Sequence, residues 1–177
     1  MKVDNNGRVN IDLLRRLLIY EPISGKVFWK DCPRYGIKKY TEAGSLRKDG
    51  YIKVQIQGRP YKLHRVVWAL CYGSWPSKKL DHINRKRSDN RLENLREVTH
   101  KQNNHNRSPQ KGSSQYKGVG WHKASKKWCA RVYSPEGKRV HLGVFNTEEE
   151  AAEAYNKAAS KFYGIFALLN EVKYVRT

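Results

Sequence analysis

An aspartate and a histidine stand side by side at Asp81 and His82, and a run of amides follows: Asn84, Asn90, Asn94, Asn103 and Asn104. The surrounding chain is strongly basic, with 36 Lys and Arg against 16 Asp and Glu and a formal net charge of +20. An acid, an imidazole and neutral amides in such a setting suit phosphodiester hydrolysis. That reaction needs a base for the attacking water, and a cation to neutralise the phosphate and the leaving oxygen. A neutral histidine is the natural base near neutral pH. Asp and Asn oxygens suit Mg²⁺, which keeps several waters and takes few protein ligands. Amides orient both without adding negative charge beside a polyanion. In a strand, Asp81 and His82 point to opposite faces, but at a strand end both can flank one site. If residues 97–107 are helical, Asn103, Glu97 and His100 can look back at the pair. The same residues also fit a plainer account, in which DNR and NLR are turn and cap chemistry and His82 is an ordinary polar histidine.

The charge balance predicts attraction to a polyanion, most commonly nucleic acid. A membrane surface would need a basic amphipathic helix or a lipidation signal, and neither is visible. No apolar run approaches the ~20 residues of a membrane span, and MKVDNNGRVN lacks the apolar core of a signal peptide. Cys32, Cys71 and Cys129 are odd in number and far apart, against both a disulfide framework and a zinc ribbon. The expectation is a reduced, intracellular, cytoplasmic nucleic-acid binder.

The elements that must position the chemistry can be read in outline. NIDLLRRLLIY (10–20) predicts a helix capped by Asn10, VFWK (27–30) a strand, and YIKVQIQ (51–57) a half-buried strand. QGRP reads as a turn, YKLHRVVWALCYG leads into a helix stopped by Gly73, and KLDHI (79–83) reads as a strand. A polar loop follows, and 92–107 is expected to close on a helix. His64 sits before an apolar helix, where a structural role or a phosphate contact is the expectation. Arg85, Lys86, Arg87 and Arg91 flank the Asp-His pair and are candidate phosphate contacts. NRSPQKGSSQ reads as a linker.

Beyond it, YKGVGWHK, KWCARVYS and KRVHLGVF predict three strands. The helix after them opens on a Thr147/Glu150 capping box and has Ala151, Ala154, Tyr155, Ala158 and Phe162 on its apolar face. Residues 101–141 hold ten Lys and Arg and one acid, Glu136, interleaved with Tyr116, Trp121, Trp128 and Tyr133. Such a sheet suits insertion into a DNA groove. Arg131, Tyr133, Arg139 and His141 alternate outward, and Trp128 is expected in the core.

The spacing DH-x₇-N-x₃-N-x₈-N, with HRVVWALCYGSWP before it and QNNHNR after it, resembles the HNH homing endonucleases of phages and their introns. The resemblance implies a ββα-metal motif, with His82 as general base, Asp81 and Asn103 as ligands of one divalent metal, and Asn94 fixing the His loop and ring. The last position is often His in that family; here it is Asn103, with His100 and His105 nearby. Residues 115–170 resemble an AP2 DNA-binding domain through GV, W-x-A, LG-x-F, T-x-E-x-A-A-x-A-Y and A-LN. By position that likeness implies DNA contacts from Gly120, His122, Arg131, Tyr133, Arg139, His141 and Tyr155. Several plant contacts are Arg or Trp where this chain has Gly120, His122, Tyr133 and His141, so the plant target does not transfer.

The sequence therefore reads as an α+β chain. An HNH module spans 1–107 (core 61–107), a linker 108–114, an AP2-like sheet and helix 115–170, and a tail 171–177. The expected activity is cleavage of double-stranded DNA with Mg²⁺ or Mn²⁺, by a monomer encoded by a phage or intron in a bacterial host. A DNA-binding regulator with an inactive HNH half is the alternative. An RNA-binding protein fits the charge but leaves the Asp-His pair unexplained.

Overall fold

The computed structural model describes residues 7–31, 36, 38–109 and 112–173. Cys32, part of the expected linker (110–111) and the end of the tail (174–177) lie outside the described residues. The chain divides into two compact units, Met1–Thr99 and His100–Thr177. No described helix is long and apolar enough to cross a membrane.

The first unit begins with α1 (Ile11–Leu17), whose Asn10 side chain accepts the Asp12 N–H as an N-cap. A hairpin of β1 (Leu18–Glu21) and β2 (Lys26–Trp29) follows. The sequence reading extended the helix to 20; here the chain leaves helix at Leu18 because Leu18–Glu21 pair with β2. Next comes an antiparallel sheet of β3 (Ser45–Leu46), β4 (Ile52–Ile56) and β5 (Arg59–Lys62). The sequence reading puts Arg59 and Pro60 in a turn and Tyr61 and Lys62 at the entry to the helix, whereas all four form β5. It is an edge strand, where Pro60 costs no ladder donor. Helix α2 (Leu63–Tyr72) closes at Gly73, whose N–H meets the Ala69 carbonyl.

Leu13, Leu14, Leu17, Val27, Trp29, Val54, Ile56, Leu63, Val66, Val67 and Leu95 form one core that joins α1, both sheets and α2. Each fully buried Leu or Ile contributes about 1.5–3 kcal/mol. Against this core stands an antiparallel hairpin, β6 (Lys79–His82) and β7 (Leu95–Val98), with a 3-10 turn (Leu92–Asn94) leading into β7. The sequence predicted helix over this stretch. Leu95 and Val98 have helical spacing, but the segment pairs with β6 and both side chains are buried as strand residues.

The second unit opens with α3 (His100–His105), one residue after β7. The sheet of β8 (Val119–His122), β9 (Lys127–Tyr133) and β10 (Arg139–Phe145) runs in the order β10-β9-β8. Helix α4 (Glu148–Tyr163) carries the capping box of Thr147 and Glu150. It covers the sheet with Tyr155, Ala159 and Tyr163 against Val132. The expected Ala154, Ala158 and Phe162 are half-buried, while Ala152 and Ala159 take the deeper positions. Gly118 allows this approach: a Cβ there would lie 2.1 Å from the Tyr155 ring and 2.6 Å from the Arg131 carbonyl oxygen. Within this unit His105 stacks on Tyr163 at 3.7 Å, and its carbonyl accepts from Leu168 N–H and the Lys117 ammonium. Six residues are too few for a stable free helix, so these contacts hold α3.

Candidate active site

His82 ends β6 with its ring buried, 4 % exposed. Its Nε2 lies 3.2 Å from Asn90 Oδ1. Asn90 Nδ2 donates to the Ser88 carbonyl at 3.3 Å, which fixes the amide so that oxygen faces the imidazole. The neutral ring therefore carries its proton on Nε2 and its lone pair on Nδ1. Nδ1 is the atom able to accept a proton from water. Burial pushes the His82 pKa below the ordinary histidine value, opposed by the Asn90 bond and the charges of Asp81 and Asp89.

Asn90 is held from the far end of the unit. Tyr20 Oη donates to its carbonyl at 3.4 Å and accepts the Leu92 N–H at 2.9 Å. Gly25, in the β1–β2 turn at φ +73, packs directly on the same backbone. A Cβ there would lie 2.5 Å from Arg91 N and 2.8 Å from the Asn90 carbonyl carbon.

Asn94 is buried and closes the loop between β6 and β7. Its Nδ2 donates to Asn84 Oδ1 (3.0 Å) and the Asp89 carbonyl (2.8 Å), and its Oδ1 accepts the Asn84 N–H (2.9 Å). The Asn84 amide in turn donates to Asp89 at 2.7 Å. Arg91, and after it Asn84, holds the Asp89 carboxyl well below the usual carboxylate range. Arg91 lies between Asp89 (2.9 Å) and Glu93 (2.8 Å), so it organises the loop. Arg85, Lys86 and Arg87 are exposed. Arg87 donates to the Asp49 carbonyl at 2.8 Å and lies 5.1 Å from the Tyr51 ring centroid.

Asp81 faces Arg96 across the hairpin. Its Oδ2 accepts from Arg96 Nε (3.1 Å) and Nη2 (3.0 Å), with both side chains largely buried. Among the described residues no three His, Cys, Asp or Glu side chains cluster as metal ligands. Asp81 and the Asn oxygens are hard donors of the kind a strongly hydrated divalent cation takes in small number, so the donor chemistry fits that group. Asn103 is on α3 in the second unit, with His100 and His105 on the same helix.

Two rings stand beside His82 that the sequence did not link to it. His64, in the first turn of α2, lies 5.0 Å from His82 centroid to centroid at 79°. Tyr51 lies 5.3 Å from His64 and 5.9 Å from His82, with Lys62 Nζ 4.1 Å from its own centroid. His64 is buried, and its Nδ1 meets no hydrogen-bond partner among the described residues. An unmet buried polar atom costs about 1–3 kcal/mol. Burial first, then His82, Lys62 and Arg65, push the His64 pKa down to about 3. Asn90 had a weak sequence signal, its place in the DNR turn. His64 was expected in a structural or phosphate-contacting role, and its place is the buried one beside His82, whereas Tyr51 had no signal beyond its half-buried strand.

In the second unit, Arg131 pairs directly with His141, and Tyr133 with Arg139. Directly opposed residues share a face, so the four stand together, opposite the face that sends Val132 toward α4. His122, Arg131, Arg139, His141 and Val144 line a shallow hollow of about 360 Å³. Gly120 lies on β8 opposite Cys129, whereas Tyr155 is buried on α4. Trp128 is half-buried rather than core, edge-on to the exposed Trp121 at 5.2 Å.

Comparison with known proteins agrees with both halves. Residues 61–105 match the family model described as HNH endonuclease, and residues 114–165 match that of the AP2 domain. Over 61 residues, 34 % of this chain, the second unit is 49 % identical to the AP2-like ethylene-responsive transcription factor PLT2 of Arabidopsis thaliana and 51 % to AIL7 of the same plant. These matches span only 11 % and 12 % of the two relatives. A solved structure described as "DNA binding and cleavage by the HNH homing endonuclease I-HmuI" is similar at 22 % identity and a TM-score of 0.40, over 84 % of this chain and 86 % of that one. The chain thus carries an HNH endonuclease segment followed by an AP2 domain. The HNH match runs to residue 105 and so includes α3.

Proposed function

We propose that the chain is a divalent-metal-dependent endonuclease that hydrolyses phosphodiester bonds in double-stranded DNA, with the AP2 sheet supplying affinity and register. The observation that carries this reading is the buried His82 ring, tied at Nε2 by Asn90 so that Nδ1 keeps its lone pair. His82 Nδ1 takes the proton of the attacking water. Asn94 keeps the 84–89 loop closed around that ring, and Asn90 Oδ1 accepts the hydrogen bond of His82 Nε2–H while charge develops on the imidazole. Asp81 and Asn103 would hold the metal. A bound Mg²⁺ or Mn²⁺ supplies positive charge for the phosphate and the leaving oxygen. Arg85, Lys86 and Arg87 contact backbone phosphates, and Arg91 acts beside them by holding the loop in shape. His122, Arg131, Tyr133, Arg139 and His141 read DNA from the sheet.

The pairing of a cutting module with a reader suits a homing enzyme of phage or intron origin, acting as a monomer in the host cytoplasm. The test incubates the protein with supercoiled plasmid carrying DNA from its own genomic neighbourhood, with Mg²⁺ or EDTA, as wild type and His82→Ala. Nicked or linear product that needs both Mg²⁺ and His82 supports the reading. Binding without cutting across several metals and neighbouring sequences replaces it with a DNA-binding regulator.

A further inference from the structure

We propose that His64 is a positioning residue for the general base: its ring, with that of Tyr51, forms a wall that fixes the plane of His82. The inference rests on the nuclease reading for its catalytic meaning, but its geometry stands alone. The hydrogen bond at Nε2 does not by itself fix the plane of the ring, which could swing about that bond. Two rings meeting His82 at 79° and 53°, with centroids at 5.0 and 5.9 Å, remove this freedom. His64 makes the nearer and steeper contact and comes from α2, the helix that closes on the main core through Leu63, Val66 and Val67. The wall is therefore anchored in the buried core of the unit.

The His64 nitrogens take little part in this. Nδ1 has no partner among the described residues, and the ring is 4 % exposed, so it does not reach a DNA strand from where it lies. The ring stays uncharged at working pH. It can thus stand beside His82 when that residue becomes an imidazolium, without adding a second positive charge. Tyr51 is braced on the other side by Lys62 and Arg87.

The experiment compares wild type, His64→Ala and His64→Phe in the full chain. Single-turnover cleavage is measured over a range of DNA concentrations, and the ¹⁵N signals of the His82 ring report its tautomer. His64→Ala is expected to lower the cleavage rate constant by ~10–100-fold, the scale of a small misplacement of a reacting group, with half-saturating DNA unchanged within about twofold. The His82 signals should shift from a pure Nε2–H form to a mixture. His64→Phe restores an aromatic wall and should recover most of the rate and the single tautomer. If His64→Ala melts earlier yet keeps the wild-type rate and His82 signals, His64 is ordinary core and the proposal falls. It falls equally if His64→Phe keeps those signals and binds DNA but cannot cut, because an imidazole nitrogen is then required. If the wild type cuts nothing, the nuclease reading fails separately, and the His82 signals still decide whether His64 sets the ring.

Discussion

The buried His64 makes an acid-stability prediction that needs no assumption about catalysis. Its pKa is pushed to about 3 in the folded chain, against an ordinary value of 6.5. A histidine buried neutral contributes stability that is complete above its unfolded pKa and is lost as pH falls toward the folded value. Near pH 5 the unfolded chain binds the proton and the folded chain does not, which costs the fold about 2 kcal/mol relative to pH 8. For a chain of this length that corresponds to a fall of ~4–8 °C in Tm. His82 adds loss of the same sign, since burial lowers its pKa too. In His64→Phe the contribution of residue 64 disappears and that of His82 remains. Urea melts of both proteins near pH 8 and pH 5 measure this. The quantity compared is each protein's own change with pH, so any packing cost of the larger ring cancels. The variant should lose ~2 kcal/mol less than wild type over that interval. Equal losses in the two proteins would refute the picture of a neutral, enclosed ring at residue 64.

Other outcomes follow from the same geometry. Asn90→Ala removes the acceptor at His82 Nε2 and should slow single-turnover cleavage by ~10–100-fold with DNA affinity retained, the cost of about 1.4–2.7 kcal/mol expected for a lost buried hydrogen bond. Gly25→Ala places a Cβ 2.5 Å from Arg91 N at a positive φ, and chemical denaturation should show a loss of ~3 kcal/mol or more. Thr147→Ala removes the α4 cap and should cost about 1 kcal/mol by the same assay. Arg131→Ala and Arg139→Ala should each weaken DNA binding and lower the slope of log affinity against log salt by about one, read from titrations at several salt concentrations.

How much of this was legible in the sequence differs from element to element. The capping box, the α2 stop at Gly73 and the strand beneath Asp81-His82 rest on local rules, and all three appear in the structure. The adjacency of Asp81 and His82 also shows the separation that strand alternation requires: one carboxylate on Arg96, one ring against Asn90. What local rules could not supply was pairing. Leu95 and Val98 fit a helical face as well as a strand, and only the β6 partner decides between them. Asn90 read as turn chemistry because a buried amide's partner is set by tertiary contacts. His64 stood out in the sequence only as a structural or phosphate-contacting residue and Tyr51 not at all, because both are brought to His82 from separate elements. The division of labour among amides was also finer than the spacing implied. Asn94 secures the loop, and Asn90 meets the His82 ring at Nε2.

The contact between Gly25 and the Asn90–Arg91 backbone bears on how such an HNH segment can be inherited or transplanted. The HNH match begins at residue 61, yet Tyr20 and Gly25, which support the Asn90 amide beside His82, lie upstream of it. A cassette cut at the edges of the match and fused behind a foreign leader would carry Asp81, His82 and Asn94 but lose the hairpin that steadies Asn90. Its active-site residues would be complete on paper and slack in space. Recombination and protein engineering alike should therefore carry the stretch from Val9 through the end of the match at His105, which keeps the supporting turn together with Asp81, His82, Asn94 and Asn103.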